Sequence, residues 1–370
     1  MALTSITVDR PEELDSALEA WDALAVATQR PYCAPAWMLA WWRHAAPATA
    51  AGLRVVLVFD GTELVGLGPF FFESRRGRAT RHRVLAAGTS HRVEPLARPG
   101  RERDVARQIA EALAHSRPRP RILAFESVDA AAGWTSLIAD AWPGRPAWRT
   151  RDWSGPAPTL ALDGAFSDWL ASKSRNFRDQ AKRLRRRLEA RGATFRVTAD
   201  PSELPADIAA FAQLHHARWR SRGGSMALDC GVERMLVEAG RDLLGQGRFR
   251  VVVIDGPDGP ISAHVFLAAG GEVTYWNGGF DEDWASEQPA MRALVAAIED
   301  AFGRGDRRLD FGGGTERYKY RMADGEDLLE STLVVPRDAR YPLTRLGLLP
   351  RRVGRGLVAR TRDRVRPPGN

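Results

Sequence analysis

The run Arg308-Leu309-Asp310-Phe311-Gly312-Gly313-Gly314-Thr315-Glu316-Arg317-Tyr318-Lys319-Tyr320 puts a carboxylate, a phenol and an amine within one stretch of four residues just after a triple glycine. Glycines let a backbone approach a ligand closely, and such loops at sheet edges carry function. Tyr318 can protonate a leaving group, while Glu316 or Asp281 takes a proton from an incoming amine or hydroxyl. The competing reading is a turn with a solvated Lys319 and a half-buried Tyr318. In Leu214-His215-His216-Ala217-Arg218-Trp219, helical spacing puts His215 and Trp219 on one face and His216 elsewhere. His215 is then a base, a wall of an acceptor pocket, or a satisfied core histidine. Adjacent histidines chelate poorly, and neither cysteine nor a further histidine stands at ligand spacing, so no metal is expected.

A second stretch bears on phosphate. Gly278 to Gln288 lies between an apolar strand pattern at Val273 to Asn277 and a helix pattern opening at Pro289. A loop feeding a helix N-terminus offers unpaired N–H groups and the positive end of the dipole to a pyrophosphate. The candidate phosphate-side residues are Trp276, Asn277, Gly278, Ser286, Met291 and Arg292. Asp281, Glu282 and Asp283 oppose that reading, and an acidic surface loop is the alternative. Lys319 and, on the basic helix, Arg185 and Arg186 supply further positive charge. That helix runs Lys173, Arg175, Arg178, Lys182, Arg183, Arg185, Arg186, Arg187, Arg191 against Asp179 and Glu189. It reads either as a grip for polyanions or as a solvated face.

These groups need elements to hold them. Ser174 is a good N-cap for a helix with an apolar stripe of Phe177, Ala181, Leu184 and Leu188, ended by Gly192. Strand patterns follow at Thr194 to Thr198, Phe249 to Ile254, Ile261 to Ala268, Val273 to Asn277, Arg308 to Phe311 and Leu328 to Val335. The helix after Pro289 has the face Met291, Leu294, Val295, Ile298 and Phe302. The hairpin pattern around Asp60-Gly61 recurs about 196 residues later around Asp255-Gly256. Each copy follows a tryptophan-bearing helical stretch, Pro35 to His44 and Phe211 to Arg220. Two domains are expected, 1–155 and 156–336, joined in the turn-rich stretch Asp152 to Pro158. An Arg-rich tail, 337–370, is expected to be mobile or peripherally docked, with peripheral membrane contact open to it.

Composition bounds the class. The 370 residues are 44% apolar and 27% charged, in the range of globular proteins. The net charge of +8 rests on 51 arginines and three lysines, a bias read as a GC-rich genome more than as a nucleic-acid surface. The opening residues carry no export pattern and no apolar run spans a bilayer, so a cytoplasmic protein is expected. Cys33 and Cys230 are too few and too far apart for a disulfide framework.

Taken together, Trp169-Leu170, Ser174-Arg175-Asn176-Phe177-Arg178, Leu214-His215 with Arg218-Trp219, Gly279-Phe280-Asp281, and Asp310-Phe311 with Gly314, Glu316 and Tyr318-Lys319 resemble the CelD-type, BioF2-like branch of the GNAT superfamily. Ala34-Pro35-Ala36-Trp37 and the Asp60-Gly61 hairpin extend the resemblance more loosely over the N-terminal half. The element order from the basic helix onward is that of the GNAT fold. The resemblance implies an α/β (α+β) chain of two tandem GNAT-like domains, each a mixed, mostly antiparallel sheet flanked by helices. It implies an acetyl-CoA or other acyl-CoA donor. It places His215, Arg218, Trp219, Asp281, Glu316, Tyr318 and Lys319 at matching positions, Arg218 and Trp219 against the substrate. The sequence departs at Ser286-Glu287-Gln288-Pro289-Ala290, where relatives tend to have Ser-Pro-Gly, and it lacks the usual Gln/Arg-x-x-Gly-x-Gly/Ala signature.

The function expected is direct acyl transfer from acyl-CoA to the amine or hydroxyl of a small-molecule or glycan acceptor, in polysaccharide or cell-envelope metabolism. No serine or cysteine stands in a nucleophile-elbow setting. Two alternatives stay open: a Fem-like transferase using aminoacyl-tRNA, and a non-catalytic polyanion-binding or scaffold protein.

Overall fold

The computed structural model describes residues 3–74, 79–220, 228 and 231–348. In chain order the N-terminal half holds β1 (Thr4–Val8), α1 (Leu18–Ala27), α2 (Pro35–His44), β2 (Ala50–Asp60), β3 (Glu63–Glu73), β4 (Arg81–Val84), β5 (Leu96–Ala97), α3 (Glu102–His115), β6 (Ile122–Asp129), α4 (Trp134–Asp140) and β7 (Trp148–Ala161). After α5 (Phe166–Ser172) and α6 (Arg175–Ala190) come β8 (Thr194–Val197), α7 (Leu204–Arg220), α8 (Val232–Leu244), β9 (Phe249–Gly256), β10 (Gly259–Ala269) and β11 (Glu272–Phe280). The chain closes with α9 (Pro289–Gly303), β12 (Arg308–Asp310), α10 (Arg317–Tyr320) and β13 (Gly325–Val335).

All strands form one 13-stranded sheet in the order β1-β2-β3-β4-β6-β13-β7-β12-β11-β10-β9-β8, with β5 on β3. The order is a palindrome of element types. Each half runs hairpin, third strand, helix, then a parallel partner, and then sends its last strand across to the other half. Thus β7 pairs with β12, and β13 pairs with β6. The two crossed strands meet at the centre over Gly325 to Val335. The parallel pairs are β4 with β6 and β11 with β12. The remaining pairs are antiparallel, which gives a mixed, mostly antiparallel sheet flanked by helices.

Period-two alternation sorts the apolar side chains. Val251 and Val253 face a core shared by α1, α2, α7 and α8, while Val252 and Ile254 face a second core under α6 and α9. The expected stripe on α6 is buried at Phe177, Ala181, Leu184 and Leu188, and Ser174 Oγ accepts from Phe177 N at 3.2 Å.

Three expectations need correcting. Residues 152–158 lie inside β7, the longest strand, because β13 supplies a pairing partner along its length and overrides the turn residues. Gly278, Gly279 and Phe280 continue β11 and pair with His264, Ala263 and Ser262 rather than opening a loop. The helix α8, with Val232, Met235, Leu236, Ala239 and Leu243 buried, is an element the sequence reading lacked. Its position, directly before the β9–β10 hairpin, makes α8 the counterpart of α2, and α7 the counterpart of α1. The tryptophan-bearing helices α2 and α7 are therefore one step out of register as repeats.

The start of the Arg-rich tail docks: residues 341–348 are helical, Leu348 is buried with Ile122 and Val335, and Arg121 donates to Thr344 Oγ1 at 2.6 Å. Cys230 and the tail beyond 348 lie outside the described residues. Cys33 is buried, and burial pushes its thiol up to about 12. Among the described residues no helix is long and apolar enough to cross a membrane, and no cluster of His, Cys, Asp and Glu is arranged to hold a metal ion.

Candidate active site

The site begins where two parallel strands part. β11 and β12 pair only over Glu272–Thr274 and Arg308–Asp310; β11 then runs on to Phe280 while β12 gives way to Gly312-Gly313-Gly314. Gly312 has a φ of +76°, a conformation open to glycine. Its N–H donates to Asp310 Oδ1 at 2.7 Å. The opening leaves an edge of β11 unpaired inside the sheet.

Tyr318 stands at this opening, packed against the second core with Tyr275. Burial, with Glu316 adding and Arg218 opposing, pushes its phenol up to about 12. It therefore keeps its proton at neutral pH. Glu316 is exposed and lies 3.1 Å from Lys319 Nζ. Lys319 is buried and donates to Gly313 O at 2.8 Å and Gly312 O at 3.3 Å, so its amine props the glycine loop. Arg218 lies over the Phe280 ring, 4.9 Å from its centroid. Tyr318, Glu316, Lys319 and Arg218 lie near one another.

Asp281 plays another part. Its carboxylate accepts from Asp283 N at 3.0 Å and caps the turn Glu282–Glu287. Ser286 donates to Glu287 Oε2 at 2.6 Å, and Asn277 Oδ1 accepts from Gly278 N at 2.8 Å. These side chains hold the loop in shape.

The first turn of α9 follows. Pro289 has no N–H, and Arg292 N returns to Gln288 O at 3.1 Å, which leaves Ala290 and Met291 to offer theirs. Gln288 sits at φ +52°, where a glycine would be free of strain. Met291 is core. Arg292 is 3% exposed, its Nε has no hydrogen-bond partner and no carboxylate pairs with it among the described residues. Burial, with neighbouring Arg321 adding, lowers its guanidinium to about 10. A buried, unpaired charge costs several kcal/mol. Arg292 also lines a cavity of about 130 Å³ between α5, α6 and α9, together with Lys182, Arg185 and Glu299.

Arg185 shares that cavity with Arg292 but is engaged by other groups, and Arg186 lies outside its lining. Arg185 donates to Glu189 at 3.0 Å and Glu299 at 3.1 Å, so two carboxylates already neutralise it. Glu299 lies ten residues along α9 from Pro289, roughly 15 Å at the helical rise. Arg186 is exposed, with Nε 3.4 Å from Lys182 O.

His215, Trp219 and Trp276 belong to the opposite face, under α7. His215 is buried, its Nδ1 donates to Gly278 O at 3.4 Å, and burial lowers its pKa. Trp276 Nε1 donates to Thr89 O at 3.0 Å, which ties β11 to the N-terminal half. The sequence reading missed His264, fully buried on β10 opposite Gly278 and stacked on Tyr275 at 5.7 Å. A Cβ at Gly278 would fall inside its ring. A lone histidine in the apolar run Ile261 to Ala268 was the signal for it.

Residues 175–320 match the family model described as Acetyltransferase (GNAT) domain. That segment holds α6 through α10 and every residue of the site, and it makes the chain an acyltransferase. No curated protein matches. Among solved structures, FemX superposes with a TM-score of 0.62 at 11% identity, over 91% of this chain and 99% of FemX. A conserved protein of unknown function from Bacteroides thetaiotaomicron gives 0.56 at 11% identity, over 90% and 100%. The C-terminal domain of a putative lysylphosphatidylglycerol synthetase from Agrobacterium fabrum gives 0.55 at 13% identity, over 90% and 95%. At these identities the likeness is one of fold across both halves.

Proposed function

We propose that the chain transfers an acyl group, most simply acetyl, from a coenzyme A thioester directly to an amine or hydroxyl. The observation that carries this is Arg292, a guanidinium 3% exposed in the first turn of α9, whose Nε has no hydrogen-bond partner and which has no counter-charge among the described residues. A diphosphate there would supply the missing negative charge and meet the N–H groups of Ala290 and Met291. The pantetheine arm would run along the open edge of β11, and its carbonyl would take hydrogen bonds from that edge. Tyr318 protonates the departing thiolate, and Glu316 takes the proton from the acceptor, since Asp281 is engaged as a cap. The catalytic unit is 156–336, in the CelD-type branch and in the cytoplasm, with an acceptor from polysaccharide or envelope metabolism. Titration calorimetry with acetyl-CoA tests the donor. Micromolar binding that weakens at least tenfold in Arg292→Met supports the reading; no binding of any CoA species removes it.

A second reading, a donor carried on tRNA, is favoured by one feature. Lys182, Arg183, Arg186 and Arg187 form an exposed basic face of α6 without a carboxylate partner among the described residues. Binding of tRNA that falls steeply with salt, alongside indifference to CoA, would favour it.

A further inference from the structure

The palindromic sheet contains the strand parting twice. In the N-terminal half β4 and β6 pair only over Arg81–Arg83 and Ile122–Ala124, then separate as β11 and β12 do. This second parting opens into a cleft of about 660 Å³, within the range of ligand sites, whose far wall is β7, β13 and Gly313-Gly314. The cleft therefore reaches the glycine loop that leads to Glu316 and Tyr318.

Its lining has a distinct chemistry. Thr89 and Ser90 accept hydrogen bonds from the indoles of Trp41 and Trp37 behind them, both at 2.8 Å. Each hydroxyl keeps its own hydrogen to donate. Ser331 Oγ accepts from Ser127 N at 3.0 Å, and Ser127 sits at φ +52°, a strained conformation for serine. Two carboxylates line the cleft, Asp152 and Glu126, and Glu126 is held by Arg83 at 2.8 and 2.9 Å with Arg81 at 3.6 Å. At the rim Trp153 is 45% exposed. Its indole lies flat along β7, where a Cβ at Gly155 would collide with it. An open aromatic face beside several hydroxyls and a neutralised carboxylate suits an uncharged, hydroxyl-rich ring, which stacks its C–H face and hydrogen-bonds its edge.

We propose that this cleft holds the acceptor, and that the acceptor is a glycoside stacked on Trp153. The inference rests on the acyl-transfer reading for the word acceptor, but binding is measured without donor, so the two can fail separately. Cellotriose, maltotriose and chitotriose are titrated into the full chain at up to about 10 mM, following tryptophan fluorescence and heat. At that concentration a Kd of 1 mM is well resolved. At least one trisaccharide is expected to bind. Trp153→Ala should weaken it at least tenfold and Trp153→Phe much less, with thermal melting unchanged in both. Failure of all three to bind, or binding indifferent to Trp153→Ala, overturns the proposal. Saccharide binding with no acetyl-CoA binding keeps the cleft and discards the donor.

Discussion

Arg92 Nε donates to Asp310 Oδ2 at 2.6 Å, joining a loop of the N-terminal half to the last residue of β12. Both side chains are buried, and Arg92 also reaches Asp129 at 2.8 Å and Asp327 at 2.7 Å. Asp310 thus fixes the strand end from which the glycine loop departs, and the geometry of the active half depends on a residue of the other.

Asp310→Asn is expected to destabilise the protein by about 3 kcal/mol, the low end for breaking a buried pair because Arg92 keeps two other carboxylates. Burial opposes ionisation of Asp310, but Arg92, His91 and the Gly312 N–H outweigh it and hold the carboxyl well below its ordinary range. A depressed folded pKa adds stability that is complete above the unfolded value, about 4, and is lost as pH falls below it. Denaturant melts from pH 7 to pH 2 should show a loss of stability below pH 4 that is smaller in Asp310→Asn. Parallel curves would contradict this.

Glu272 moves the other way. Burial chiefly, with Asp310 adding and Arg308 opposing, pushes it up to about 7. The folded state then holds a proton that the unfolded state has released, so this group costs stability as pH rises from about 4 to 7. Glu272→Gln is expected to raise the melting temperature at pH 8 and to raise it much less at pH 5. Equal effects at both would contradict the assignment.

Gly279 is required by packing. A Cβ there would lie 2.5 Å from His215 N, a backbone atom of α7 that cannot swing aside. Gly279→Ala should cost about 1–3 kcal/mol in chemical denaturation, the usual range for overpacking. A neutral result would mean that α7 does not sit on β11 this closely.

Much of this was legible in the sequence, and the exceptions share a cause. The α6 stripe and its Ser174 cap, the Asp60-Gly61 and Asp255-Gly256 hairpins and the face of α9 are local patterns, and each stands where its spacing puts it. Residues 152–158 and Gly278 to Phe280 carry turn chemistry, yet both are strands because a partner distant in sequence pairs with them. The exchange of β7 and β13 between halves leaves no local signal. In the site, Tyr318, Glu316 and Lys319 were found together because they are adjacent in sequence. His264 and the unpaired state of Arg292 depend on what surrounds them, and only the fold supplies that.

Tyr318→Phe should lower kcat by about 100-fold or more while leaving the donor's KM within a small factor, as expected for a lost proton donor. With its phenol pushed up to about 12, Tyr318 should give no alkaline limb in the wild-type pH profile below about pH 10. A limb near pH 8 that disappears in Tyr318→Phe would show a different ionisation.

The most direct test of the central claim is acetyl-CoA binding by titration calorimetry, set beside the thermal stability of Arg292→Met. Removing a buried unpaired charge should stabilise the ligand-free protein by about 1–3 kcal/mol, while binding weakens at least tenfold. Acetyl-CoA that binds the variant as tightly as the wild type, or that binds neither, would contradict a donor site built around Arg292.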